Sequence, residues 1–106
     1  MTRALITMPR VAARGEIVEI RTLIAHPMET GYRAGEDGRV LPRNLIRRLT
    51  CEYDGVEVFG AELFPAISAN PYIVFTTVAT ASGTLRFTWS GDNGFAQTET
   101  VALTVT

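Results

Sequence analysis

The chain has 106 residues, the length of one small domain that can build a single core without a disulfide. With a charged fraction of 20% and a net charge of −1, it has no field to draw in nucleic acid or an anionic membrane surface. No apolar run reaches the roughly 18 residues of a membrane helix. All ten basic residues are arginine, which excludes lysine nucleophiles and Schiff bases, and the single cysteine excludes an internal disulfide.

The start, MTRALITMPRVAARGE, lacks the basic segment, apolar run and small-residue cleavage site of an export signal. Taken alone, it suggests a cytoplasmic protein unless another protein carries it across a membrane. A short strand is expected over Ala4–Met8, stopped by Pro9, which cannot donate a ladder hydrogen bond. Arg14-Gly15 reads as a turn. In Glu16–Ile24, Val18, Ile20, Thr22 and Ile24 fall on one face and Ile17, Glu19, Arg21 and Leu23 on the other; the first set is the core face. Pro27 then ends the strand. Arg33–Leu45, with Gly35, Gly38 and Pro42 among charges, is the least strand-like stretch and reads as a long loop of the kind that is often functional or mobile.

Leu49, Cys51 and Tyr53 share the face of the next strand. Asp54-Gly55 then gives a strong hairpin signal, because a type I′ turn needs positive φ at both central residues. The returning arm, Val56–Leu63, ends at Pro65, and Ala61–Ala69 has room for a helical turn. After Asn70-Pro71, the strand Tyr72–Ala79 is bulky on both sides, with Tyr72, Val74 and Val78 on one face and Ile73 and Phe75 on the other. Ser82-Gly83 is a turn. Leu85, Phe87 and Trp89 alternate with polar residues, Ser90–Gly94 is a loop, and Phe95–Val105 closes the series. About seven short strands with turn signals between them, and no long amphipathic helix, predict an all-β, immunoglobulin-like antiparallel β-sandwich forming one domain, 1–106.

The chemistry on offer is sparse. A closed metal site wants about four donors, and the chain has one histidine and one cysteine. His26 and Met28 would face the same way on a strand, so a copper site with borrowed ligands is conceivable, beside the plainer reading of a histidine finishing a strand end. Cys51 is expected to be buried and inert. Arg43, Arg47 and Arg48 make the strongest positive patch, either an anchor for an acidic partner or a solvated face. Glu36-Asp37 reads as solvated, and no phosphate-binding glycine loop joins a strand to a helix. No catalytic constellation emerges, which favours a binding or subunit role.

Four stretches then stand out, in order along nearly the whole chain: GEIVEIRTLIAHPMETGYR, GRVLPRNLIRRLTCEYDGVEVF, PAISANPYIVFTTV and SGTLRFTWSGDNG. Together they resemble the SoxZ family of bacterial sulfur oxidation. The most specific matches are His26–Gly31, Pro42-Arg43 ahead of Thr50-Cys51, Asn70-Pro71-Tyr72 and Phe87-Thr88-Trp89. The resemblance implies an immunoglobulin-like sandwich that is not an enzyme and needs no cofactor. It implies a heterodimer with SoxY, which carries thiosulfate-derived sulfur on a cysteine in a C-terminal Gly-Gly-Cys-Gly-Gly arm and presents it to the other Sox enzymes. It also implies a periplasmic location reached by export together with SoxY, with no membrane insertion. Lysines common in the family are arginine or neutral here, and Tyr32 follows Thr-Gly where a polar residue is usual, so contacts with partner enzymes are open to change.

On this reading His26–Gly31 is either a docking element or a loop-shaping one that packs within the chain; as docking residues, His26, Met28, Glu29, Tyr32 and Arg43 are the partner-binding candidates, with His26, Met28 and Tyr32 expected on the surface. Tyr72, Ile73 and Phe75 are candidates on a strand expected to have a second layer beyond it. Two alternatives remain open: a free-standing periplasmic immunoglobulin-like sandwich that could bind copper through His26 and Met28, and a generic adhesion or accessory immunoglobulin-like domain. Whether Cys51 pairs with a partner's cysteine is left open.

Overall fold

Period-two alternation organises the molecule. The computed structural model describes residues 3–64, 67 and 69–106. Its strands, in chain order, are β1 (Ala4–Thr7), β2 (Val11–Ala12), β3 (Ile17–Ile24), β4 (Ile46–Tyr53), β5 (Val56–Glu62), β6 (Tyr72–Val78), β7 (Gly83–Gly91) and β8 (Ala96–Val105), with one 3-10 turn at Asp92–Gly94 before β8. They form a three-stranded sheet, β1-β3-β6, and a five-stranded sheet, β2-β8-β7-β4-β5. The two sheets face each other as an immunoglobulin-like β-sandwich.

Residues predicted to point inward do so. Val18, Ile20, Thr22 and Ile24 of β3 are buried, as are Leu49, Cys51 and Tyr53 of β4 and Leu85, Phe87 and Trp89 of β7. An aromatic series bridges the layers. Phe75 of β6 stacks on Phe59 of β5 with ring centroids 4.0 Å apart, and lies 6.3 Å from Phe87 of β7. Contacts of this kind add to the area burial that drives the sheets together.

The Asp54-Gly55 turn has the predicted form, with φ of 49° and 83°, and pairs Tyr53 directly with Val56. It is also tied to β7: the Thr84 N–H donates to Asp54 Oδ1 at 2.9 Å, and the Asp54 N–H to the Thr84 carbonyl at 3.0 Å.

The structure departs from expectation in three places. Among the described residues there are eight strands, because Val11–Ala12 pairs with Thr104 and Val105, and this pairing is parallel where the others are antiparallel. Two residues carry no readable period. Second, Arg33–Leu45 is not without structure. The Glu29–Asn44 and Ala34–Val40 bridges make it an irregular hairpin, closed by the Gly35 N–H to Arg39 carbonyl bond at 2.7 Å. Third, Ala61 and Glu62 belong to β5, and beyond it the Ile67 N–H donates to the Phe64 carbonyl at 2.9 Å. Pro65, expected to end that arm, lies outside the described residues.

Candidate partner-binding site

The segment after β3 keeps the strand's alternation: Ile24, His26 and Met28 point inward, Ala25 and Pro27 outward. His26 and Met28 are each only 5% exposed. This corrects the expectation that both stand on the surface. Pro27 removes a donor but does not turn the chain away from the core.

The His26 backbone is clipped to the approach to β6. Its N–H donates to Asn70 Oδ1 at 2.9 Å, and the Asn70 N–H returns a bond to the His26 carbonyl at 2.7 Å. The imidazole Nδ1 accepts the Met28 N–H at 3.0 Å, which leaves the ring proton on Nε2. Nε2 is buried with no hydrogen-bond partner among the described residues, and the ring meets Phe95 edge-on at 5.0 Å. Burial pushes the His26 pKa down, against an opposing pull from Asp92. Met28 takes positive φ, 50°, and its Sδ accepts the Ile46 N–H at 3.3 Å. Nδ1 and Sδ are thus engaged within the chain, and Nε2 is buried. Among the described residues, no group of three or more His, Cys, Asp or Glu is placed to hold a metal ion.

The remainder of the loop does reach solvent. Tyr32 is 88% exposed. Glu29 is paired to Arg33, whose hydrogen bond holds the carboxyl below its usual range. The arginine patch is divided by carboxylates the sequence did not flag. Asp92 accepts from Arg43 Nε at 3.1 Å and from the Leu45 N–H at 3.1 Å, and lies 3.6 Å from Arg47. Burial alone would raise the Asp92 carboxyl; the Leu45 N–H and the two guanidinium groups outweigh it and hold it low. Arg48 turns instead to Glu57 and Glu62, each at 3.8 Å. Little of the positive charge is left to hold an external anion.

On β6 the three candidates separate. Tyr72 is 58% exposed, Ile73 is half-buried, and Phe75, at 7%, belongs to the core. Ile73 and Phe75 therefore face the opposite sheet and not a second layer. The structure instead adds surface residues that reading each strand singly missed. Register places Leu5, Leu23 and Tyr72 in one row across β1, β3 and β6, and Ile17 beside Val78, all exposed on the outer face. The only signal in the sequence was that Ile17 and Leu23 occupied the face of β3 assigned to solvent. Two charges on this face, Glu19 and Arg21, close on each other at 2.6 Å, and the exposed Arg3 stands beside Leu5 and Leu23. Cys51 is fully buried, and burial, with a smaller contribution from Glu52, pushes its thiol up to about 12.

No helix among the described residues is long and apolar enough to cross a membrane. The fold resembles that of the superoxide reductase (neelaredoxin) from Ignicoccus hospitalis, with TM-score 0.74 and 18% identity over 99% of this chain and 82% of that one. It also resembles the sulfur carrier protein SoxY from Chlorobium limicola f thiosulfatophilum, with TM-score 0.68 and 12% identity over 97% of this chain and 78% of that one. At these identities the likeness is one of fold alone. None of the curated proteins matches the chain. The model of the sulphur oxidation protein SoxZ family matches residues 6–102, nearly the whole sandwich, and the chain belongs to that family.

Proposed function

We propose that this chain is the non-catalytic subunit of a SoxYZ sulfur carrier, binding SoxY while SoxY holds thiosulfate-derived sulfur on its own C-terminal cysteine. The match to the SoxZ family across residues 6–102 carries this reading. The sealed Cys51 supports it: a buried thiol with a raised pKa offers neither a nucleophile nor a docking point for sulfur, so the sulfur must be held elsewhere. The outer face of β1-β3-β6 supports it too. It is apolar along Leu5, Leu23 and Tyr72, and Glu19 and Arg21 neutralise each other beside that row, a surface suited to being covered. On this reading the chain works in the periplasm after export with SoxY, and the exposed Tyr32 loop meets the visiting Sox enzymes.

Co-expression with a SoxY chain tests it. The two should elute as one 1:1 complex, and the chain alone should leave thiosulfate untouched. Separate elution, or thiosulfate turnover by the chain alone, would overturn the proposal.

A further inference from the structure

Among the described residues the sandwich has four sheet edges, at β1, β6, β2 and β5. An open edge presents unpaired backbone donors and acceptors, and proteins normally blunt it with shortness, proline, charge or a bulge. Three of these edges are blunted. β1 is four residues long, with Arg3 before it and Pro9 soon after. β2 is two residues long and follows Pro9-Arg10. β5 carries Glu57 and Glu62, and its pairing with β4 skips Val58 at a bulge.

β6 carries none of these protections within its own span; Pro71 precedes it, but that position faces β3, accepting the Ile24 N–H, and leaves the outer edge open. Its seven residues, YIVFTTV, contain no charge, glycine or proline, and its pairing with β3 runs without a register break. Such a segment has high β-propensity and nothing that repels a neighbouring strand.

The register also fixes which backbone groups are free. The Ile24 N–H donates to the Pro71 carbonyl at 3.3 Å, and the Ala79 N–H to the Glu16 carbonyl at 2.9 Å. In an antiparallel pair, bonded and non-bonded positions alternate. Positions 73, 75 and 77 therefore turn their backbone groups to β3, and Tyr72, Val74, Thr76 and Val78 turn theirs to the open edge. The side chains of Tyr72, Val74 and Val78 are exposed and run on into the apolar outer face. At the far end of β6 lies a groove lined by Tyr53, Val56, Val58, Thr77, Val78 and Thr80, with the Asp54 carboxylate at its side.

We infer that β6 is a strand-addition site, and that its occupant is an extended, uncharged strand of the SoxY subunit, so that one sheet runs across the heterodimer. This rests on the carrier-subunit reading above. The backbone row demands an extended partner. Charge matching demands a neutral one, because β6 is uncharged and Glu19 and Arg21 cancel beside it. SoxY from Chlorobium limicola f thiosulfatophilum shares this sandwich fold, so a partner of that kind has sheet edges of its own to offer.

Amide hydrogen exchange on the isotope-labelled chain, alone and with unlabelled SoxY, tests the inference. Alone, the Ile73, Phe75 and Thr77 amides exchange slowly and the Val74, Thr76 and Val78 amides quickly. In the complex, the second set slows by about tenfold or more. If SoxY binds and those amides stay fast, strand addition is wrong and the carrier-subunit reading stands. If SoxY does not bind, both fall. If those amides slow with rising concentration of the chain alone and SoxY adds nothing, the occupant is a second copy and the assignment to SoxY is wrong. Thr76→Pro removes one outward N–H and no bond to β3. It should weaken SoxY binding about tenfold with little change in the melting of the free chain.

Discussion

His26 is held in a single protonation state by its surroundings. Nδ1 is occupied by the Met28 N–H and Nε2 is enclosed, so a second proton would both break a backbone hydrogen bond and bury a charge. Burial lowers the folded-state pKa below the ordinary 6.5, with Asp92 pulling the other way. The unfolded chain therefore takes up the proton first as the pH falls. The stability linked to His26 is full above about pH 6.5 and declines as the pH drops below it. Glu29 and Asp92, held below their ordinary 4.5 and 3.8, contribute their own losses only in more acid solution. Between pH 7 and about 5 the melting temperature should fall mainly through His26. His26→Asn keeps an acceptor for the Met28 N–H in an Asx-type turn but cannot titrate, so its melting temperature should stay nearly level over that range. A native protein that is equally level would refute the argument.

At the level of strands, the hairpin between β4 and β5 turns on Gly55, whose φ of 83° an L side chain adopts only with strain. Gly55→Ala should cost about 1 kcal/mol or more, lowering the melting temperature by roughly 4–8 °C in thermal denaturation followed by circular dichroism. That turn was legible because Asp-Gly states its backbone geometry locally. β3 and β7 were legible for a similar reason: one buried face writes an alternating pattern that no other element imitates. β2 was not, because two residues have no period and its pairing depends on a strand more than ninety positions away. The burial of His26 and Met28 was written in the same alternation as β3, but Pro27 was read as ending the strand. Asp92 could not be identified as the counter-charge to Arg43, since the two lie 49 positions apart and meet only once β4 and β7 pair. The Leu5–Leu23–Tyr72 row is likewise a product of register, which no single strand reveals.

For the molecule as a whole, the outer face of β1-β3-β6 gathers exposed Leu5, Ile17, Leu23, Tyr72 and Val78 around the Glu19–Arg21 pair. Leu23→Lys places a charge at the centre of that face on a strand whose inner side stays intact. Its melting should stay within a few degrees of the native chain, while its affinity for SoxY drops about tenfold in titration calorimetry. Unchanged affinity would show that SoxY leaves this face open. The placement of β8 has a separate consequence. It lies inside the five-stranded sheet, between β7 and the two residues of β2, so strands from opposite ends of the sequence must meet before that layer is whole. A growing polypeptide has β2 in hand long before β8 has been synthesised. The sandwich therefore cannot close until residue 105 has cleared the ribosome, and until then the chain stays open to whatever chaperone or subunit reaches it first.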